Sequence, residues 1–211
     1  SRRVLLPAGF ITADHRDIPG ANYVALIEPD QPCLAVDDVK HVAEPILLVA
    51  HAEKSALIGI EKYIGIDYAA ASPNYDPEAA DICFKKISID KGDLSLGFRN
   101  ADSVIEGEYR TGHQEQLYIE TNGVIAVPGE GQMTVYGSLQ CPYYVHKALM
   151  VVLNLPPDSV RVIQTETGGG FGGKEEYPSM LACHAAILAH KTRGPEKMVE
   201  DLVRGLHAIT K

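Results

Sequence analysis

The run "TGGGFGG", Thr167 to Gly173, constrains this chain more than any other stretch, because five glycines in six positions surround a lone phenylalanine. A helix or strand interior does not sustain that density of glycine, which loses more backbone freedom on ordering than any other residue. The segment is therefore a loop of special shape. Its flanks give it a place: "SVRVIQTE" reads as a buried strand, and "YPSMLACHAAILAHKT" as a helix with Pro178 in its first turn and Lys191 near its end. The glycines sit at a strand, turn, helix junction.

Three uses of such a junction are open. Gly168, Gly173 and Lys174 satisfy the G-x-x-x-x-G-K spacing of a P-loop, which would make the chain a nucleotide-binding protein. That motif continues with a Ser or Thr hydroxyl for Mg²⁺, whereas here Glu175 and Glu176 would set two carboxylates beside the phosphates, a repulsive arrangement in a shielded site. A second use is a tight packing turn, the ordinary role of glycine. The third is a ligand wall: backbone stripped of side chains admits a bulky flat group, and its N–H groups donate to anionic or oxo atoms. A lone Phe171 framed by glycines favours the wall.

The remaining chain supplies a core for such a site. Hydrophobic residues make up 45% of 211, enough to oppose chain entropy, and the charged fraction of 22% is that of an ordinary globular protein. A net charge of −9, with 19 scattered Lys and Arg, repels a polyphosphate backbone, so nucleic acid is not an expected partner. Apolar runs such as "PILLVA" and "ALMVVLNL" are too short to span a bilayer, and "SRRVLLPAGF" lacks the long apolar region of a signal peptide. The expectation is a cytoplasmic protein without a membrane partner. Cys33, Cys83, Cys141 and Cys183 show no C-x-x-C pair, so buried free thiols are expected, with no zinc site and no iron–sulfur cluster held by this chain.

Periodicity outlines the elements. "NYVALIE" and "PILLVAHA" read as strands, "KSALIGIEKYIGI" as a helix and "DYAAA" as another strand. From Ser72 to about Arg99 the punctuation by Pro73, Pro77, Gly92 and Gly97 supports no long element. Then "DSVIEGEYRT", "LYIETNGVIAV" and "QMTVYGSL" alternate as strands, the last two joined as a hairpin through "VPGEGQM". Pro142 opens a helix over "PYYVHKALMVVLNL", which Pro156 and Pro157 stop. The fold class expected is α+β.

Three blocks, "TGHQEQLYIET", "TVYGSLQCPYYVHKAL" and "VRVIQTETGGGFGGKEEYPS", resemble the molybdopterin-binding large subunit of xanthine dehydrogenases, aldehyde oxidases and related molybdenum hydroxylases, in that family's order and spacing. The earlier part, from "RDIPGANY" to "YDPEA", is similar to the family's α/β hammerhead domain. The resemblance implies an incomplete hammerhead domain over residues 1–80, a linker over 81–100, and the first portion of a molybdopterin-binding α+β domain over 101–211. Both ends look cut, so a fragment of a longer subunit is expected.

Its implications for the site are equally specific. A molybdenum–molybdopterin cofactor is implied, held without a direct metal ligand from this chain. Gln114 takes the position whose amide hydrogen-bonds the metal's oxo group; Gly170, Phe171 and Gly172 match residues against the cofactor, with the Phe171 ring bordering the substrate pocket. Gly169 and Gly173 permit the approach, and Gln140 matches a stretch near the site. Glu175 takes a position implied to contact a purine ring, a carboxylate there suiting ring N–H groups, while Glu176 reads as a helix N-terminal acid. The implied reaction is hydroxylation of a purine-like heterocycle with oxygen derived from water. Electrons then leave through [2Fe-2S] clusters and FAD on partner subunits or domains. The general-base glutamate belongs to the remaining molybdenum domain, so no catalytic residue is expected here and the chain alone is not expected to turn over substrate. A non-catalytic assembly module of the same fold is the further alternative.

Overall fold

The structure, a computed structural model, describes residues 2–25, 28–83 and 85–199. These fall into two compact units, one of residues 2–3 with 66–114 and one of residues 4–65 with 115–199. Compactness thus groups the chain differently from the linear order 1–80, 81–100, 101–211. Helix and sheet are mixed, and the sheets are open.

The first half carries four short strands, β1 (Arg2–Val4), β2 (Ile11–Ala13), β3 (Leu48–Ala50) and β4 (Ile64–Ile66). β2 pairs antiparallel with β3, Ile11 facing Ala50 and Ala13 facing Leu48, and β1 pairs with β4. The strand expected over "NYVALIE" is reduced to one bridge, Val24 to Gln31, with Leu26 and Ile27 outside the described residues. The helix expected over 54–66 does not form. Two single 3-10 turns, Lys54–Leu57 and Ile60–Tyr63, replace it, because Gly59 at φ +72° breaks the ladder and none of these residues is buried. An apolar stripe with no core to face does not hold a helix.

In the unit of 66–114, Asp93 caps a seven-residue helix, α1 (Leu94–Asn100), its carboxylate accepting from the Leu96 amide at 2.9 Å. The sequence reading of Gly92 and Gly97 as punctuation missed it. Strands expected at "DYAAA" and "DSVIEGEYRT" are absent among the described residues, whose side chains are exposed, Tyr68 by 65% and Ile105 by 90%. Alternation alone does not make a strand where no neighbour completes the hydrogen-bond ladder.

The other unit is built on a four-stranded sheet. β5 (Gly123–Gly129) and β6 (Gln132–Gly137) form the anticipated hairpin through Glu130 and Gly131, Gly131 taking the positive φ of +66° that a two-residue turn requires. β5 begins later than expected, at Gly123, where its ladder pairing among the described residues starts; Leu117 before it takes φ +49°. The helix α2 (Pro142–Leu153) then crosses over to β7 (Val160–Gln164), which lies parallel to β6. Asn154 ends α2 in the left-handed conformation, shortly before the prolines. After the glycine loop comes α3 (Tyr177–Thr192), and β8 (Glu196–Val199) closes the order β7-β6-β5-β8. α2 and α3 pack on each other and on this sheet, burying Val124, Val135, Leu149, Val152, Leu181 and Ile187.

α3 is buried continuously from Pro178 to Ala189. Its small residues let α2, the sheet and the β2–β3 pair all approach it, as an apolar helix without a polar face demands. At one point the approach is polar, His184 Nε2 lying 2.7 Å from the Cys33 carbonyl oxygen. Cys33 and Cys183 are buried free thiols as expected, whereas Cys141 is half-buried and Cys83 exposed. Among the described residues no helix is long and apolar enough to cross a membrane.

Candidate functional site

β7 delivers the chain to the loop with its ladder extended by one bond, Thr165 N–H donating to the Gly137 carbonyl at 2.9 Å. The twelve residues from Thr165 to Glu176 then separate β7 from α3. Two side chains from outside this segment fix its shape. Gln140, just before α2, accepts through Oε1 from the amides of Gly172 at 3.0 Å and Lys174 at 3.2 Å, while its backbone N–H donates to the Lys174 carbonyl at 2.7 Å. Glu120, just before β5, accepts through Oε2 from the Gly168 amide at 2.6 Å and from the Lys174 ammonium at 2.7 Å.

Lys174 is the largest fully buried side chain in the molecule's described part. Its ammonium reaches the Ser138 hydroxyl at 3.0 Å and lies 5.1 Å from the centre of the Tyr118 ring, while Ser138 donates to the same Glu120 oxygen at 2.6 Å. The Lys174 ammonium, then the Ser138 hydroxyl and the Gly168 N–H, hold the Glu120 carboxyl down to about 2. A P-loop lysine must instead extend its charge to phosphates, so this geometry removes the nucleotide reading. The lysine faces inward.

The arc between these clamps faces outward. Phe171 takes φ +52°, a conformation that costs a non-glycine residue about 1–2 kcal/mol and that collects at functional sites, and its ring is 77% exposed. Among the described residues the amides of Gly169, Gly170 and Phe171 meet no acceptor. The glycines on either side are dictated by close approach. A Cβ on Gly170 would strike Oε1 of Gln140, and one on Gly173 would strike the Tyr118 ring. Beside Gly172 there is no heavy atom within 4 Å of where a Cβ would stand, so that face is open. Three successive unpaired N–H groups beside an open backbone face form a donor surface for an anionic or oxo-bearing group.

Gly170, Phe171 and Gly172, named from the sequence, are therefore adjacent on one arc, with Gly169 and Gly173 beside them. Glu175 is exposed at its end; together with burial, its charge raises the Cys141 thiol. Gln114 ends the unit of 66–114, exposed and outside any helix or strand. A cavity of about 510 Å³ is lined by Gly172, Gly173, Gln116, Tyr118, Tyr144 and Glu176 among others. Sequence reasoning missed Glu120 and the structural part of Gln140, and it read Glu176 only as a helix acid. The signal available for Gln116 was its place in "HQEQ", two positions past Gln114.

The fold and this arc define a cofactor-binding module of mixed helix and sheet. Residues 75–210 match the model of the molybdopterin cofactor-binding domain, and the chain belongs to that family. It is 33% identical over 200 residues to the nicotinate dehydrogenase large molybdopterin subunit of Eubacterium barkeri, covering 89% of this chain and 47% of that one. It is 30% identical to a probable xanthine dehydrogenase subunit of Bacillus subtilis and 35% to the xanthine dehydrogenase/oxidase of Rattus norvegicus, covering 87% and 91% of this chain but 26% and 15% of theirs. The chain thus spans less than half the length of these relatives. Among solved structures, the aldehyde oxidoreductase from Desulfovibrio gigas superposes with a TM-score of 0.77 at 19% identity, over 92% of this chain and 24% of that one. The reconstituted CO dehydrogenase from Oligotropha carboxidovorans gives 0.77 at 22% identity, over 92% and 28%. These two likenesses concern the fold.

Proposed function

We propose that this chain is the molybdopterin-binding part of a xanthine dehydrogenase-like molybdenum hydroxylase acting on a purine-like nitrogen heterocycle. The observation that carries the reading is the outward arc at Phe171, with three unpaired amides and an open glycine face. That cradle suits a flat group bearing oxo or phosphate oxygens, because the donors are fixed backbone and a Cβ is missing where the group would lie. Gly170, Phe171 and Gly172 would hold the cofactor, and the exposed Phe171 ring would border the substrate pocket. Gln140 has its Oε1 engaged by two loop amides, and among the described residues its Nε2 hydrogens meet no acceptor. Gln114 is proposed as a second amide donor on the strength of the family resemblance.

When bound, the cofactor supplies two-electron oxidation with oxygen derived from water. This chain's residues orient and bind. Glu175, exposed at the arc's end, accepts from ring N–H groups of the heterocycle; the relatives' names include aldehyde oxidases beside nicotinate and xanthine dehydrogenases, and this carboxylate is what favours a nitrogen heterocycle as substrate. The proton-abstracting glutamate, the [2Fe-2S] clusters and the FAD are assigned to other domains or subunits, residues 1–80 to a hammerhead-like portion, 81–100 to a linker and 101–211 to the molybdopterin portion of a cytoplasmic enzyme.

The test is purification of the full-length protein with its partners, determination of molybdenum and pterin, and turnover assays with xanthine, nicotinate and simple aldehydes. Bound molybdopterin and preference for the heterocycles are expected, and Glu175→Val lowers heterocycle turnover relative to aldehydes. A loaded protein that prefers aldehydes, with selectivity unmoved by Glu175→Val, would refute the substrate assignment. Absence of molybdenum and pterin from the intact complex would refute the reading as a whole.

A further inference from the structure

We infer that Glu120 is the positioning residue of the cofactor-facing arc: one carboxylate oxygen, 48 and 54 residues away in sequence, ties both ends of the loop and so sets where the free amides of Gly169 to Phe171 point. The inference rests on the proposed function for what the arc binds, but the clamp is visible in the loop alone. Oε2 receives the Gly168 N–H at the start of the arc, the Lys174 ammonium at its end, and the hydroxyl of Ser138, the residue just after β6. Gly168 is glycine for this contact, since a Cβ there would stand 2.7 Å from the Glu120 Cβ. The run is thus divided in labour: Gly168 and Gly173 seat the arc against Glu120 and Tyr118, Gly170 seats it against Gln140, and Gly172 alone fronts open space.

Glu120 does this from the surface. Its side chain is 43% exposed while that of Lys174 is fully buried, and among the described residues its hydrogen bonds go only to the two ends of the arc and to Ser138. Loss of the carboxylate therefore releases the arc before it disturbs the sheet. Glutamine keeps the size but presents one acceptor and one donor where three donors converge, and it leaves the buried ammonium unpaired.

The experiment compares wild type, Glu120→Gln and Ser138→Ala in the full-length protein isolated with its cofactor. Molybdenum and pterin per protomer, the visible circular dichroism of the bound cofactor, and amide exchange along 165–176 are measured. For Glu120→Gln the expected result is a fall in cofactor content of about tenfold or more, as for other residues that orient a binding group, with the loss of exchange protection greatest over 168–174. Ser138→Ala is expected to move the same readouts in the same direction by less. Wild-type cofactor content and dichroism in folded Glu120→Gln would overturn the inference, as would exchange that quickens equally over β5 and β6. If Glu120→Gln does not fold, unchanged cofactor content and exchange in Ser138→Ala overturn it. Exchange reads the loop without cofactor, so a wild type lacking molybdenum refutes the proposed function while a loss of protection in Glu120→Gln that is greatest over the arc still supports the clamp.

Discussion

At the scale of single residues the Glu120–Lys174 pair is unequal, and the inequality has consequences. Lys174 is fully buried and Glu120 is partly exposed, so water can replace the lysine for the carboxylate but cannot replace the carboxylate for the ammonium. Glu120→Gln is expected to destabilise by about 3 kcal/mol and Lys174→Met by about 1 kcal/mol in urea titrations; the reverse order would contradict this burial. The pair also writes a pH dependence. A carboxyl brought from 4.5 to about 2 by folding leaves more protons on the unfolded chain between those values. The stabilisation is present above about pH 4.5 and is lost as pH falls toward 2, so the melting temperature of the wild type should drop through this window more steeply than that of Glu120→Gln. Parallel curves would contradict it. A hydrogen bond from Cys183, aided by His184, draws the Cys33 thiol below the usual thiol range, yet Cys33 is wholly buried. Access then overrides acidity: maleimide should label exposed Cys83 promptly and Cys33 and Cys183 only on unfolding, and rapid native labelling of Cys33 would contradict the packing.

Among the elements, those that could be read from sequence are those whose pattern coincides with burial. Val145, Leu149 and Val152 recur at helical spacing and are residues of α2 that enter the core, and the β5–β6 hairpin pairs around the glycine its turn needs. Leu149→Ala should cost about 3 kcal/mol, measured by chemical denaturation, because a fully buried leucine leaves a cavity; a loss near zero would place α2 off the core. Elements misread from sequence had periodicity without burial. Ala56, Leu57, Ile60 and Ile64 are spaced for a helix, but Gly59 and the lack of a covering surface leave two single turns. The site divides in the same way. Its glycines and Phe171 were legible because local backbone demands them, whereas Glu120 and Gln140 act across separations of 32 to 54 residues that no local pattern displays.

On the scale of the whole molecule, a sheet, the half-buried α2 and the buried α3 support one outward arc, and the described contacts that shape the arc come from the unit of 4–65 and 115–199. The continuous burial of α3 from Pro178 to Ala189 gives the arc a rigid base at its C-terminal side, and β7 gives one at the other. A group laid on such a surface meets donors that are already oriented, so little ordering remains to be done on binding. The chain covers 47% or less of the relatives named above, so this test belongs to the full-length protein. The most direct measurement is anomalous diffraction at the molybdenum edge from crystals of that protein. A single molybdenum peak beside the Phe171 arc is the predicted result; a peak elsewhere in the molecule, with the amides of Gly169 to Phe171 turned to solvent, would contradict it.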